Sequence, residues 1–351
     1  MSGKTSPVGT GVLLALLAAI LFGLTVPAVE RIGAGVGPFS TAALLYLGAG
    51  LAAVCFWLAR PGGGGRLGGR HIPRLLAVSI FGAALAPALL VFGIHRVGAT
   101  TTSLLLNLEV VFTVLLARAV YCEHLGRRVV MAATVMVFGG AVLVFDSARG
   151  WSWQAAGSLA VAAAALCWAV DNTLSCALSG NDPHEVVAAK GVLGCVLTGA
   201  GAFLSAERVP GQWQALGLLA CGMTGYGLSL KLYLLAQRRI GAARTGSVFG
   251  TAPFIGVAAA WAMGGRQGGV WTAAAAALFA VGIVLHSTER HEHEHSHDAL
   301  DHEHAHRHDD GHHGHGHEHA VGGDHTHLHS HAAFLHAHTH APDCHHLHRH
   351  P

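Results

Sequence analysis

His95-Arg96-Val97-Gly98-Ala99-Thr100 is echoed further along the chain by Arg238-Arg239-Ile240-Gly241-Ala242-Ala243. The copies begin at residues 95 and 238, an offset of 143. Each closes a long apolar run and opens the next. In both cases that next run is followed by a short break and a final Gly/Ala-rich run, marked by Gly139-Gly140-Ala141 and by Val281-Gly282-Ile283. The chain is therefore internally duplicated.

The apolar runs themselves fall at about 10–29, 38–59, 75–94, 100–120, 129–146, 155–176, 186–204, 215–235, 245–263 and 270–287. Runs of roughly 17–25 residues match the ~30 Å hydrocarbon core of a bilayer. Helices that are apolar all round and this long belong in lipid rather than in a soluble bundle. Five runs per copy is an odd number, so the second copy inserts upside down relative to the first. Inverted repeats are the architecture of secondary transporters, with the substrate site near the midplane where the copies meet. The expected fold is an all-α polytopic membrane protein of ten transmembrane helices. It comprises two inverted five-helix repeats, residues 8–147 and 152–287, followed by a disordered tail, residues 288–351.

Composition agrees. Of 351 residues, 52% are hydrophobic and 11% charged. An ordinary soluble domain carries about 25% charge, so one large soluble globule is excluded. Histidine divides the chain: five of 29 precede residue 288 (His71, His95, His124, His184 and His286), and the remaining 24 lie in the tail. The tail holds 11 acidic residues and three arginines, whereas the body holds 18 Lys and Arg against eight Asp and Glu. In a membrane protein such a basic excess reports topology rather than nucleic-acid binding. Six of the seven cysteines, Cys55, Cys122, Cys167, Cys176, Cys195 and Cys221, lie in or beside apolar runs, and none forms a CxxC pair. They read as small core residues, not as a disulfide scaffold. Only Lys4 precedes the first run, which continues to near Val29 and so reads as a span rather than a cleaved signal.

Lys and Arg also orient the chain. Eleven of them (Lys4, Arg60, Arg66, Arg70, Arg74, Arg118, Arg127, Arg128, Arg238, Arg239 and Arg244) lie at the N-terminus or near the loops after runs two, four and eight. Five (Arg31, Arg96, Arg149, Arg208 and Arg266) lie near the alternate loops. The positive-inside rule then places both termini in the cytoplasm of a multi-pass cell-membrane protein.

The body resembles the drug/metabolite transporter superfamily, with two EamA-type five-helix domains. The likeness is carried by Gly98-Ala-Thr-Thr-Thr-Ser-Leu-Leu-Leu-Asn-Leu-Glu109-Val-Val-Phe-Thr113, with Glu123-His124 and Arg127-Arg128 beyond it. A Glu-Pro pair is common in that family span; here Val110 stands for the Pro. The second copy, Gly241-Ala-Ala-Arg-Thr-Gly246-Ser-Val-Phe-Gly250-Thr-Ala-Pro253-Phe254, keeps the Pro but has Ala252 where the first has Glu109. Arg266 stands near the place of the terminal Glu. Trp168-Ala-Val-Asp171-Asn172 and Lys190-Gly191 resemble one EamA subgroup. The resemblance implies a carrier of small molecules and names no substrate.

Polar residues inside the apolar runs are the candidate substrate or coupling residues. Glu109 lies about ten residues into run four, ~14 Å deep at 1.5 Å per residue. A carboxylate there costs several kcal/mol unless it is paired, protonated or faces a wet cavity. Such a group suits proton coupling or cation binding; its bland alternative is a hydrogen-bonded structural acid between helices. Thr113 follows by four residues and can share its helix face, while Asn107 points elsewhere. Asp171 and Asn172 lie late in run six. Lys190 opens run seven and is one partner for Asp171; Lys231 of run eight is the rival, with interfacial snorkelling as its plainer role. Glu123, His124, Arg127 and Arg128 read first as solvated topology determinants. Pro253, like Pro27 and Pro87, interrupts an apolar run and marks a kink or a broken backbone near a cavity. Trp57, Trp151, Trp153, Trp213 and Trp271 sit near run ends as interfacial anchors.

The tail has its own chemistry. His291, His293, His295 and His297 alternate with other residues, as do His302, His304, His306 and His308, then His325, His327, His329 and His331, then His336, His338 and His340. Cys344, His345 and His346 follow. Alternation puts these imidazoles on one side of an extended strand, and with no apolar partner face the free tail is expected to be disordered. Neutral imidazole binds divalent zinc, nickel, cobalt or copper, so the set is a candidate for several exchanging metal sites. A solvated tail that meets metal only incidentally is the alternative.

The reading that results is a secondary transporter exporting a small metabolite by alternating access, with a metal-binding cytoplasmic tail. The alternative is a zinc, nickel or cobalt transporter that uses the tail for delivery or sensing. A membrane enzyme is disfavoured, since the apolar body, residues 1–287, carries no HExxH or GxSxG motif. A merely anchored metal buffer would not need ten spans. The expected partners are the bilayer, a small-molecule substrate and transition-metal ions, with a second copy of the chain as a further candidate. No cofactor is required and no nucleic acid is expected.

Overall fold

The computed structural model describes residues 7–59, 67–121, 126–147, 153–175, 178, 181–240, 242–265 and 269–287, and the tail segments 292–297, 300–306, 325–331 and 334–339. Outside them lie Cys122, Glu123, His124, Arg149, Trp151, Cys176, Arg266, His291, His308, His340, Cys344, His345 and His346.

The first copy holds α1 (Pro7–Ile32), α2 (Pro38–Ala59), α3 (Ile72–Val78), α4 (Ala86–Leu105), α5 (Leu108–Tyr121) and α6 (Arg127–Ser147). The second holds α7 (Trp153–Ser175), α8 (Pro183–Leu204), α9 (Gln212–Cys221), α10 (Ser229–Ile240), α11 (Ala242–Phe249), α12 (Ala252–Ala262) and α13 (Val270–Ser287). A π-helical segment, Ser79–Leu85, joins α3 to α4, and a second, Gly222–Leu228, joins α9 to α10.

Seven helices among the described residues are long and apolar enough to cross a bilayer, and two shorter apolar helices follow at Ala252–Ala262 and Val270–His286. The difference from ten uninterrupted runs has a backbone cause. Gly98 adopts φ 75° and ψ 167° inside α4, so the chain turns there from span three into span four. A side chain at Cβ disfavours that left-handed φ, and glycine carries none. Span four then breaks again at Leu106-Asn107 before α5, and span nine breaks at Gly250-Thr251 between α11 and α12. Divided at Gly98, the described helices correspond to the ten apolar runs. The breaks in spans four and nine lie 144 residues apart, within one residue of the offset of the repeated motif.

Packing follows the duplication. Spans two and seven meet as α2 on α8, and spans five and ten as α6 on α13. Span one packs on spans eight and nine through α10 and α12. Span six packs likewise on spans three and four through α4 and α5. This reciprocal pairing is what a pseudo-twofold relation between inverted copies produces. Buried Leu45, Leu90, Ile94, Leu104, Leu218 and Phe279 form part of the apolar interior. Phe145 is 74% exposed and Phe203 86% exposed, a surface suited to lipid.

Polar ties also cross between the copies. The Glu207 carboxylate accepts from the backbone N–H groups of Phe39 (3.1 Å) and Ser40 (2.7 Å) at the start of α2. It meets two of the unsatisfied donors and the positive end of that helix. The Ser229 hydroxyl donates to the Ala18 carbonyl at 2.8 Å.

The described segments of the tail are β1 (Glu292–His297), paired antiparallel with β4 (Phe334–Thr339), and β2 (Leu300–His306), paired with β3 (His325–His331). The physical reason is the period-two alternation itself, which a pleated strand accommodates and a helix does not. Each sheet has two strands, a size that is marginal in water without a ligand or a packing face.

Candidate functional site

Two neighbouring residues near the end of α7 organise the polar centre. Asp171 is buried, and its carboxylate accepts from the Lys190 ammonium at 2.8 and 2.7 Å. Lys190 is itself only 8% exposed, so the two charges are desolvated together. A buried charge is tolerated when it is paired and its remaining lone pairs are met. Ser175, one turn after Asp171, supplies a third donor at 3.0 Å. Of the two lysines that could have paired with Asp171, Lys190 does so. Lys231 instead places its ammonium 3.8 Å from the centre of the Phe56 ring, a cation–π contact.

Asn172 reaches another span. Its amide donates to Glu109 Oε1 at 2.7 Å. Glu109 lies in the first turn of α5 just past the break in span four, and Tyr233 of α10 lies within electrostatic range of it. The carboxylate therefore stands at the N-terminal end of a half-helix, where the backbone dipole favours negative charge. Thr113 is half-buried one turn further along α5. Asn107 is buried in the break and turns back on its own chain, donating to the Leu104 carbonyl at 2.9 Å. Pro253 lies at the start of α12, next to the break in span nine. Glu109, Asn172, Asp171 and Lys190 are thus joined through α7, whereas Lys231 rests on Phe56 and Pro253 opens α12.

Sequence reasoning missed the aromatic side of the centre. Phe22 of α1 lies 6.1 Å from Trp168, 6.0 Å from Tyr226 and 5.5 Å from Phe249, ring centre to ring centre. Tyr46 lies 5.5 Å from Tyr226, and Tyr233 lies 5.0 Å from Phe249. These rings come from spans one, two, six, eight and nine. No local spacing links them, so no sequence pattern could have assembled them. Also missed was a cavity of about 210 Å³ at the end of α1, lined in part by Glu30, Arg31, Met263 and Gly265. There Arg31 donates to the Met263 carbonyl, and the Thr100 hydroxyl to the Gly265 carbonyl at 3.3 Å.

Among the described residues, no group of three or more His, Cys, Asp and Glu side chains could hold a metal ion. Of the tail residues proposed as ligands, His291, His308, His340, Cys344, His345 and His346 lie outside the described residues.

Broken spans and reciprocal packing of two copies around a charged centre define a multi-pass membrane-protein fold. The chain belongs to the EamA-like transporter family, which it matches over residues 9–145 and 155–288. It is similar to an "Uncharacterized transporter" of Methanothermobacter thermautotrophicus, 28% identical over 188 residues that cover 50% of this chain and 52% of that protein. The chain thus spans about half the length of that curated relative. A solved crystal structure shares the fold, with a TM-score of 0.61 and 21% identity over 79% of this chain and 98% of that one.

Proposed function

We propose that this chain is a secondary transporter that exports a small organic solute by alternating access. Glu109 is the coupling carboxylate, and the Asp171–Lys190 pair a charged element of the solute site. One observation carries this: α7 holds Glu109 of the first copy through Asn172 and Lys190 of the second through Asp171. Both copies therefore bear on one short stretch of helix, and a change at either pair alters how they meet. The centre can exchange a proton at Glu109 and can offer a solute one ammonium, one carboxylate and aromatic faces. An organic solute with a ring or an amine suits that set. A divalent cation would have to displace an ammonium already seated on the Asp171 carboxylate, which disfavours the metal-carrier alternative.

Both termini are read as cytoplasmic, and the histidine tail as a binder of divalent zinc, nickel, cobalt or copper that serves the transporter as sensor or buffer. The test is flux in proteoliposomes under a pH gradient. Organic amines, aromatic solutes and Zn²⁺, Ni²⁺ or Co²⁺ are assayed with the full chain, with Glu109→Gln and with a chain ending at Ser287. Organic flux that dies with Glu109→Gln supports the reading. Metal flux that survives loss of the tail, with no organic flux, overturns it in favour of a metal carrier.

A further inference from the structure

The two π-helical segments lie at equivalent places in the two copies. Ser79–Leu85 and Gly222–Leu228 are each seven residues long and begin 143 residues apart, the offset of the repeat itself. A π segment is uncommon and costs hydrogen-bond geometry, and it concentrates at functional sites. Two at matched positions mark a feature of the repeat rather than a local accident. Gly82 and Gly225 occupy corresponding positions within them, and each is pressed against a helix of the other copy. A Cβ at Gly82 would overlap the Asp171 carboxylate, and one at Gly225 would overlap the Thr25 hydroxyl.

The likeness stops at the hydrogen bonds. The Gly82 carbonyl accepts from the Tyr46 hydroxyl at 2.5 Å and from the Trp168 indole N–H at 3.1 Å. At the repeat offset Tyr46 is matched by Ala189, which has no donor side chain, and Trp168 by Thr25. Thr25 donates within its own helix, to the Leu21 carbonyl at 2.8 Å. Trp168 and Asp171 are three residues apart on α7 and share a face. Both rest on Gly82.

We propose that the two π segments are the paired hinges of the transport cycle, and that Tyr46 and Trp168 latch the first hinge through the Gly82 carbonyl. They are positioning residues: they hold span three against spans two and six, and so keep Asp171 seated on Lys190. The hinge in span eight has no matching pair of donors from Ala189 and Thr25 and is the readier to change register. This rests on reading the Asp171–Lys190 pair as part of the transport site.

Hydrogen–deuterium exchange of the full chain in lipid nanodiscs tests the latch without a substrate. In the wild type, amides of residues 79–85 exchange about tenfold more slowly than those of residues 222–228, the factor that one net hydrogen bond supplies. Tyr46→Phe and, separately, Trp168→Phe remove most of that difference and leave residues 222–228 unchanged. Equal exchange of the two segments in the wild type overturns the proposal. So does retained protection of residues 79–85 in both variants, provided that each melts as the wild type does. Should one variant fail to fold, the other decides. An asymmetry confirmed here in a protein that moves no solute would refute the transport reading and leave the latch standing.

Discussion

Spans four and nine share a backbone and differ in chemistry. Their breaks lie 144 residues apart, one more than the repeat offset, and in both a second half-helix begins just past the break. Span four places Asn107 in its break and Glu109 in the first turn beyond. At the repeat offset of 143, span nine has Gly250, the first residue of its break, and Ala252, the first of α12, with Pro253 following. Duplication thus supplied two half-helix N-termini, each with a dipole suited to an anion. In the first copy that end carries a carboxyl group, hydrogen-bonded to Asn172. In the second it carries a rigid, apolar start. A symmetric frame can rock between two arrangements, but a coupling group is useful when one of the two ends titrates and the other does not.

The most direct way to break this comparison is to neutralise span four alone. Glu109→Gln is expected to reduce coupled flux at least 100-fold, about 3 kcal/mol on a scale of 1.4 kcal/mol per decade. Ala252→Ser in span nine should leave flux within about threefold. Equal effects of the two changes would show that the breaks are functionally alike.

The next largest effect belongs to the pair that seats the centre. Lys190→Met strands a buried Asp171 carboxylate and is expected to destabilise the fold by about 3–5 kcal/mol, read as a fall in melting temperature in detergent. Adding Asp171→Asn should restore more than half of that loss, because the stranded charge is gone. A double variant no more stable than the single one would remove the ion pair from the account.

A smaller effect sharpens the role of the break itself. Asn107→Ala loses the bond to the Leu104 carbonyl and should cost about 1 kcal/mol. Gly250→Ala, at the equivalent place in span nine, should cost less. A larger loss at Gly250 would reverse the ranking of the two breaks. Smallest for the body is removal of the tail after Ser287. The melting temperature should move by no more than about 1 °C, since surface segments contribute little, while binding of Ni²⁺ to the purified protein falls to background. Retained metal binding would place the ligands in the body.

Much of this molecule was legible in the residues. The echo of residues 95–100 at 238–243, the odd number of apolar runs per copy and the depth of Glu109 lead to inverted halves and a carboxylate within the membrane. Each is a one-dimensional property of hydropathy, length or spacing. The choice of Lys190 over Lys231 for Asp171 was not legible, because both lie at suitable depths and only helix rotation distinguishes them. Nor was the break at Leu106-Asn107, whose residues read as a continuous apolar run; the break at Gly250-Thr251 was signalled by Pro253 alone. Such an interruption is tolerated only where neighbouring helices satisfy the freed backbone.

By itself, then, the sequence determined that the chain crosses a membrane as two inverted copies, that a carboxylate lies deep in the first, and that a histidine-dense segment follows. Those results depend on apolar length and periodicity, which lipid reads residue by residue. Tertiary structure alone decided that Asn172 meets Glu109 and that rings from five spans gather around Phe22. It also set the π segments of the two copies in register, with one latched through Gly82. The reason is physical: contacts between residues far apart in the chain depend on how helices rotate and cross, and that is settled by packing, not by pattern.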